Sequence, residues 1–259
     1  MSEWLALVVA MLATCMVVIL VAIVRQRRRS GGEAETPDVI EYMSMMIGVI
    51  YAVVLGLAIA GSWETRSAAK EAVRVEAQSM HEAGERAAVY PTTARDRVLG
   101  DIDTYIAFVV HQDWPQMEHH RDLSPTGEQL LGQVRSDVTP SSPNDLPGAA
   151  AAEPVLDAVA TADDARSTRA AIATSEMPVV VWIGLFTGAL ITVALIFLLE
   201  IRSTFRELLL GGLFSALVVF LLFVVWDFQS PFGHSFGITP EAFTQLFPAA
   251  AHASGGGTG

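Results

Sequence analysis

Charged side chains are missing from four long stretches of this 259-residue chain. No Asp, Glu, Lys or Arg occurs in the runs of 21, 21, 23 and 19 residues at Trp4 to Val24, Tyr42 to Ser62, Met177 to Leu199 and Leu208 to Trp226. As helices rising about 1.5 Å per residue, these runs are long enough to cross a hydrocarbon core roughly 30 Å thick. The sequence therefore predicts an integral membrane protein with four transmembrane helices in contact with the lipid bilayer.

Cysteine and lysine are also scarce. The single cysteine, Cys15, excludes a disulfide bond within the chain, and it lies in the first apolar run, which we expect to be an uncleaved anchor because no basic segment precedes it. Of the 16 cationic residues, Lys70 is the one lysine. This arginine bias is typical of GC-rich coding and indicates a bacterial source.

Acidic residues dominate the segment between the second and third apolar runs. Residues 63–177 contain 10 Lys plus Arg and 19 Asp plus Glu, which accounts for most of the formal charge of −12. A surface of this sign repels nucleic acid. The charge pattern therefore excludes DNA and RNA as partners.

Signatures of catalysis are absent from the sequence. It has no nucleophile elbow, Walker loop or dinucleotide fingerprint. His119 and His120 stand beside acidic residues, but adjacent histidines point in different directions, and we interpret them as part of a solvated loop. We predict that the protein is not an enzyme and carries no metal or cofactor.

The absence of ionisable groups from the four runs also bears on transport. Pumps and ion-coupled transporters usually need such a group at membrane depth, whereas a passive pore can use backbone dipoles, hydroxyl groups and hydrophobic constrictions. The sequence therefore favours a passive pore over active transport.

Two short basic loops predict the orientation of the chain. Four of the five residues at 25–29 are arginines, and Arg202 and Arg206 lie between the third and fourth runs. The positive-inside rule places both loops in the cytoplasm, so both termini and the acidic segment are predicted outside the plasma membrane. Arg66, Lys70 and Arg74, close to the second run, count against this orientation.

The acidic segment is predicted to be all helical. No proline occurs between the second run and Pro91, so one helix of nearly 50 residues is expected there. Its apolar seam is Val73, Ala77, Met80, Gly84 and Ala87. A second helix, with its stripe at Val98, Ile102, Tyr105, Ile106 and Val109, is expected to end before Pro115. Because no alternating β-branched run appears, we predict an all-α protein.

The predicted fold class is thus four transmembrane helices with an all-helical domain inserted between the second and third. Residues 1–62 contain the first two transmembrane helices and 63–176 form the acidic domain. Residues 177–229 contain the last two transmembrane helices, and 230–259 hold a short amphipathic helix and a flexible tail. That short helix, with Phe243, Leu246 and Phe247, is predicted either to lie on the membrane surface or to fold back on the domain.

Small residues recur at every fourth position of the second run, at Ser44, Gly48, Ala52, Gly56 and Ala60. The third run repeats this pattern at Gly184, Gly188 and Thr192. Such faces let helices approach closely in lipid, or they leave room for a conduit, and both interpretations stay open.

Other side chains in and beside the runs have predicted roles of their own. Tyr51 adds a hydroxyl group that could serve in a conduit, and Trp63, Trp226 and Asp227 are predicted at the membrane interface.

Three stretches give the chain a family resemblance: GVIYAVVLGLAIAGSWETRSAAKEAVRVEAQSM, RDRVLGDIDTYIAFVV and DFQSPFGHSFGITPEAF. With the layout of four runs, they resemble the bestrophin-like group of bacterial membrane proteins. The resemblance implies a homo-oligomeric anion channel, with four transmembrane helices per subunit arranged as a ring around a central pore.

Two features depart from that family. Bestrophins keep both termini and the helical domain in the cytoplasm, whereas the arginine loops here predict the opposite. Asp227 and Glu241 are also too few for the acidic calcium site that calcium-gated bestrophins carry. The alternative to a channel is a non-conducting membrane scaffold or sensor whose acidic domain binds a partner.

Overall fold

The structure, a computed structural model, describes residues 38–139, 146–198, 205–233 and 237–249. Within these ranges the chain is helical apart from short connections, and no strand is present, which confirms the all-α prediction. The helices are α1 (Asp38–Arg86), α2 (Thr92–Phe108), α3 (Trp114–His120), α4 (Pro125–Val138), α5 (Leu146–Thr174), α6 (Val179–Leu198), α7 (Phe205–Phe228) and α8 (Glu241–Leu246). The first apolar run, Cys15, the arginines at 25–29, Arg202 and the glycine-rich tail lie outside the described residues.

Helix α1 confirms the prediction of one long helix, since it runs without a break for 49 residues. Pairs of oppositely charged side chains one turn apart stabilise the C-terminal half of this helix. One example is Arg86, which donates to Glu82 at 2.5 Å. The helix tightens into a single 3-10 turn at Ala87–Val89, and Tyr90 is extended with a ψ of 156°. An extended residue is what the proline at position 91 imposes on the residue before it.

The described chain divides into two compact units. The first, which we call the apolar unit, contains the described residues up to Glu64 and those from Glu176 to Gln229. The second, the polar unit, contains Thr65 to Ser175 and the described residues from Ser230 onward.

The apolar unit is built from the first half of α1 together with α6 and α7. Its core is small and contains Tyr51, Leu55, Leu185, Ala189, Val218, Leu222 and Val225. By length and composition, α1 and α7 are each able to cross a membrane, and α6 reaches that criterion when it is taken together with α5. The structure therefore supports two or three membrane spans within the described residues.

The polar unit has the larger core. The predicted seam of α1 is buried there, with Ala77, Met80 and Ala87 fully enclosed and Gly84 within van der Waals reach of α2. The predicted stripe of α2 is also buried and packs on Leu131, Val134 and Val138 of α4. Helical periodicity thus identified the faces that pack in this unit.

The prediction that the second helix ends before Pro115 is wrong. Helix α2 passes into a π-helical turn at Val109–Asp113 and then into α3, with no break at the proline. The π turn shifts the hydrogen-bonding frame, so that Pro115 falls in the first turn of α3, where a missing N–H is tolerated. At this proline the hydrogen-bonding pattern changes, and the chain stays helical as far as His120.

The segment after α7 folds back on the polar unit, which is one of the two predicted positions for it. Phe243 of α8 is fully buried, and its ring lies 6.3 Å from that of Trp114, whereas Phe232 approaches Trp114 at 5.8 Å. Phe247 meets His81 of α1 edge to face at 5.8 Å. These aromatic contacts fix α8 against α1 and α3.

Candidate functional site

The small-residue face of α1 is open within the described part of the apolar unit. A Cβ atom added to Gly48 or Gly56 would meet no atom within 4 Å. Ala52, Gly56 and Ala60 are exposed, and Ser44 is half-buried. The described parts of α6 and α7 therefore do not use this face for close packing.

Close packing occurs instead on α6, at Gly188. A Cβ atom there would lie 2.5 Å from Cδ2 and 2.8 Å from Cε2 of Tyr51, so the tyrosine ring occupies the space that a larger residue would need. Gly184, one turn earlier, has no neighbour within 4 Å. One glycine of the α6 pattern thus serves packing between α1 and α6, and the other does not.

Two hydroxyl groups are buried in the same apolar unit. Tyr51 is 7% exposed and Thr192 is 6% exposed, and within the described residues neither hydroxyl has a hydrogen-bond partner. Thr192 lies one turn beyond Gly188 on α6, on the face that meets Tyr51. Of the two, Tyr51 has its ring against Gly188 of α6, so this residue serves the contact between α1 and α6.

Aromatic side chains cluster at the end of the apolar unit where α1 leaves it. The ring of Trp63 lies 5.6 Å from that of Phe228, and the indole N–H of Trp182 donates to Gln229 at 3.0 Å. Trp226 is 37% exposed, whereas Asp227 beside it is buried. Amphipathic rings of this kind favour the boundary between lipid and water.

An apolar groove of about 450 Å³ runs between α6 and α7. It is lined by hydrophobic side chains together with Trp182, Trp226 and Ser215. The Ser215 hydroxyl donates to the carbonyl of Gly211 at 2.8 Å, so its hydrogen-bonding capacity is already used within α7. The groove thus offers hydrophobic contact and little polar chemistry.

A network of buried charges occupies the centre of the polar unit, and the sequence patterns did not predict it. Arg169 of α5 and Glu76 of α1 are both fully buried and form two parallel hydrogen bonds, each 2.8 Å long. The hydroxyl of Tyr105 donates to the same carboxylate. A bidentate pair of this kind is the strongest geometry available to an arginine and a carboxylate.

A second pair extends the network into the π turn. Arg166 of α5 donates to Asp113, the last residue of that turn, and to the carbonyl of Ser124 at 2.9 Å. Asp113 in turn accepts from the backbone N–H of Ser124 at 3.1 Å. Gly127 leaves the room that the guanidinium needs, because a Cβ atom there would overlap it.

The network is neutral as a whole, with two arginines facing two carboxylates. Burial alone would lower the pKa of Arg166, but the hydrogen bond to Asp113 and the charges of Tyr105, Asp113 and Glu76 together outweigh it, so the pKa of Arg166 is raised. Burial, followed by the charge of Glu76, raises the pKa of the Tyr105 hydroxyl well above its ordinary value. The pairing of Arg169 with Glu76 and of Arg166 with Asp113 suits the network to holding α1, α5 and the π turn together.

One sequence signal was available for this network. Arg166 and Arg169 lie three apart on an alanine-rich helix, and Glu76 interrupts the apolar seam of α1 between Val73 and Ala77. A charge inside a seam indicates a buried partner on the facing helix. Local spacing could not identify that partner, which lies 93 positions further along the chain.

Metal ligands do not gather anywhere in the described ranges, since no group of three or more His, Cys, Asp or Glu is close enough to hold an ion. His119 is exposed, and its Nδ1 atom lies 2.8 Å from the carbonyl oxygen of Pro115. That contact occupies one ring nitrogen within α3.

Taken together, the apolar helices, the open small-residue face and the polar helical unit define an all-helical membrane protein. The family model of the bestrophin-like domain matches residues 8–243, and the chain belongs to that family. No curated protein matches the sequence.

Solved structures show the same fold. A variant of a bacterial bestrophin homologue from Klebsiella pneumoniae superposes with a TM-score of 0.72 at 11% sequence identity, covering 93% of this chain and 97% of the homologue. A second variant from the same organism gives a TM-score of 0.71 at 12% identity, covering 95% and 97% of the two chains. A variant of a crystallised membrane protein gives 0.74 at 11% identity over 94% and 96%. At sequence identities this low, the comparison shows a shared fold alone.

Proposed function

We propose that the protein is a passive, homo-oligomeric anion channel of a bacterial plasma membrane, and that α1 lines its pore. The observation that carries this proposal is the open small-residue face of α1, where Gly48 and Gly56 meet no described atom. A helix face of this kind suits close approach of another helix or a water-filled path. In a ring of subunits around a central axis, one helix can both pack against another helix and line the water-filled path.

The layout of the subunit follows the predicted division of the chain. We propose four transmembrane helices, of which the first comes from residues 4–24, with the boundaries 1–62, 63–176, 177–229 and 230–259 given above. We assign the third and fourth of them to α6 and α7. The lack of ionisable side chains in the four runs favours passive flow, because coupled transport needs a titratable group at membrane depth.

Selectivity for inorganic anions is the finer part of the proposal. The net negative charge of residues 63–177 acts against anions, so selection has to come from the membrane segments. Glycine backbone dipoles and the hydroxyl of Ser44 are the polar groups available on the proposed pore face. Family membership supports the anion assignment.

The test is ion flux in liposomes that contain the purified protein. Chloride flux is expected in the wild type, and Gly56→Trp is expected to reduce it at least tenfold, because an indole would fill the narrow face of α1. Gly184→Trp is the matched control, since Gly184 is also open but lies on α6. Reversal potentials in a salt gradient then measure the preference for anions over cations.

Each outcome decides a different part of the proposal. Absence of flux in the wild type across voltage, pH and calcium would reject a channel, and equal loss in both variants would reject α1 as the pore helix. A reversal potential that favours cations would reject anion selectivity alone.

The exposed acidic residues of the polar unit favour one second candidate, a scaffold or sensor that binds a basic partner. That role would be indicated by an inactive wild type that nevertheless binds such a partner through the polar unit.

A further inference from the structure

The apolar groove between α6 and α7 follows both helices for about three turns. On α6 its lining begins at Trp182 and ends at Val193, and on α7 it runs from Ser215 to Trp226. At about 1.5 Å per residue, each side is about 16 Å long. Large apolar side chains stand at its wall, among them Phe186, which is 58% exposed. A helix or a lipid chain is able to lie along a groove of this length.

The groove is separate from the contact between α6 and α1. Tyr51 of α1 lies against Gly188, and Leu185 is fully buried in the core that α1 shares with α6 and α7. Phe186 and Leu190 line the groove instead. At about 100° per residue, the face of α6 in the groove lies about a third of a turn around the helix from the face that meets α1. A helix in the groove would therefore not compete with α1.

The tryptophans of the four apolar runs fall at alternating ends of the sequence runs. Trp4 begins the first run and Trp182 lies near the start of the third, whereas Trp63 follows the second and Trp226 ends the fourth. Successive spans cross a membrane in opposite directions, so all four tryptophans belong at the same membrane face. The three that the structure describes lie at one end of the apolar unit, where Trp182 donates to Gln229 at 3.0 Å. Tryptophan favours the boundary between lipid and water, so Trp4 is expected at this end as well.

This alignment gives the first run a register along the groove. Cys15 follows Trp4 by eleven positions, and Val193 follows Trp182 by the same number. Ser215 likewise precedes the tryptophan of α7 by eleven positions. Helices that start at one level and rise equally per residue keep such positions level. The first eleven residues of the run therefore match the length of the groove, and Cys15 is level with its inner end.

The connection to α1 permits this position. Residues 25–37 join the first run to α1, which begins at Asp38. A linker of this length spans up to roughly 40 Å when extended. Packed helices lie about 8–10 Å apart, so the linker is long enough to pass from the groove to α1 across the bundle.

We propose that residues 4–24 form a helix that occupies the groove between α6 and α7 of its own chain. Trp4 lies at the tryptophan end of the groove, and the turn at residues 12–15 lies beside Val193 and Ser215. The proposal rests on the four-helix layout proposed above and does not depend on ion conduction. A helix in the groove contacts two helices at once, and in lipid such van der Waals contact drives helix association. It also leaves the small-residue face of α1 to the proposed pore.

The test is disulfide cross-linking of the full-length protein in membranes, with copper phenanthroline as the oxidant. One cysteine is placed in the first run, either the native Cys15 or, in a Cys15→Ala background, Leu12→Cys, Ala13→Cys or Thr14→Cys. Each is paired with Val193→Cys or with Ser215→Cys. These four positions make one helical turn and cover every face of the helix, so at least one of them faces the groove. A disulfide forms when the two Cα atoms lie about 4.4–6.8 Å apart.

At least one pair is expected to give tenfold more disulfide than the controls. Mass spectrometry of linked peptides identifies the bond, and a non-reducing gel shows whether it lies within one chain. Ala52→Cys is the control for position, because Ala52 precedes Trp63 by eleven positions and so lies at the same depth, on the open face of α1. Phe186→Cys is the control for depth, since it lines the groove about 10 Å nearer its tryptophan end.

The other outcomes reject the proposal, each for a different reason. Absence of a disulfide in every groove pair would leave the groove to lipid. Disulfides at the mass of a dimer would place the first run of another subunit there. A disulfide to Ala52→Cys in place of the groove pairs would put the run on the open face of α1. Flux in liposomes is a separate readout: conduction without cross-linking rejects the groove proposal alone, and cross-linking in a protein that does not conduct rejects the channel alone.

Discussion

Arg169 shows at the scale of a single residue how much the polar unit depends on one contact between distant parts of the chain. Its guanidinium is fully buried, bonds both oxygens of Glu76, and lies 5.8 Å from the ring of Trp114. Desolvating such a pair is costly, so its main effect is to disfavour any arrangement that separates the partners. We infer that it fixes the register of α5 against α1.

Removal of one partner tests this role. Arg169→Met is expected to lower the free energy of unfolding by about 3–5 kcal/mol, because Glu76 would be left as a buried charge without its cation. Thermal unfolding in detergent measures the loss. Replacing Glu76 as well, in the double variant Glu76→Gln with Arg169→Met, should recover part of it.

Arg135→Met is the matched control, since Arg135 pairs with Asp163 near the surface with 46% of its side chain exposed. A surface pair of this kind contributes about 0–1 kcal/mol. Equal losses for Arg135→Met and Arg169→Met would contradict a special role of the buried pair.

Helix α6 illustrates the scale of secondary structure, because its two glycines look alike in sequence and differ in the fold. The ring of Tyr51 occupies the space beside Gly188, whereas the space beside Gly184 is empty of described atoms. A pattern of small residues therefore marks a face, but only the neighbouring helix decides which position is used. The same holds for α1, where the described neighbours leave Gly48 and Gly56 unfilled.

Gly188→Ala is expected to destabilise the apolar unit by about 1–3 kcal/mol, since the added methyl group would displace the Tyr51 ring from a packed contact. Gly184→Ala should be neutral or slightly stabilising, because alanine is the better helix former and nothing lies nearby. Thermal unfolding in detergent compares the two.

A Tyr51→Ala background provides the internal check on that comparison. With the ring removed, the cost of Gly188→Ala should largely vanish. If the cost persists without the ring, the contact between α1 and α6 is not its cause.

Orientation in the membrane is a property of the whole molecule, and here the basic loops and the family resemblance point in opposite directions. The positive-inside rule places residue 120 outside and residue 30 in the cytoplasm. Bestrophins, by resemblance, would place the helical domain inside. The topology of the helices in the described ranges is compatible with both.

Cysteine labelling of intact cells distinguishes these orientations. In a Cys15→Ala background, which removes the one native thiol, His120→Cys is expected to react with a membrane-impermeant reagent and Ser30→Cys is expected to react only after the cells are opened. The reverse pattern would show that the polar unit is cytoplasmic and that the arginine loops do not set the topology.

Several properties could be predicted from the sequence because they depend on local composition and period. The continuity of α1, the all-α class, and the buried faces at Met80 and Ile102 follow from helix propensity and from a repeat near 3.6 residues. The passage through Pro115 could not be predicted, because the π turn before it is stabilised by Asp113 and its contact with Arg166, far along the chain.

What the sequence by itself determined is which parts of the chain are apolar, which are helical and which faces of α1 and α2 are buried in the polar unit, since these follow from neighbouring residues. Only the tertiary structure decided that Glu76 pairs with Arg169, that Asp113 pairs with Arg166 and that the ring of Tyr51 packs against Gly188. Each of these contacts joins residues on different helices, and helix period carries no information about which helices become neighbours. The charges and small residues were visible in the sequence, and their partners were set by packing.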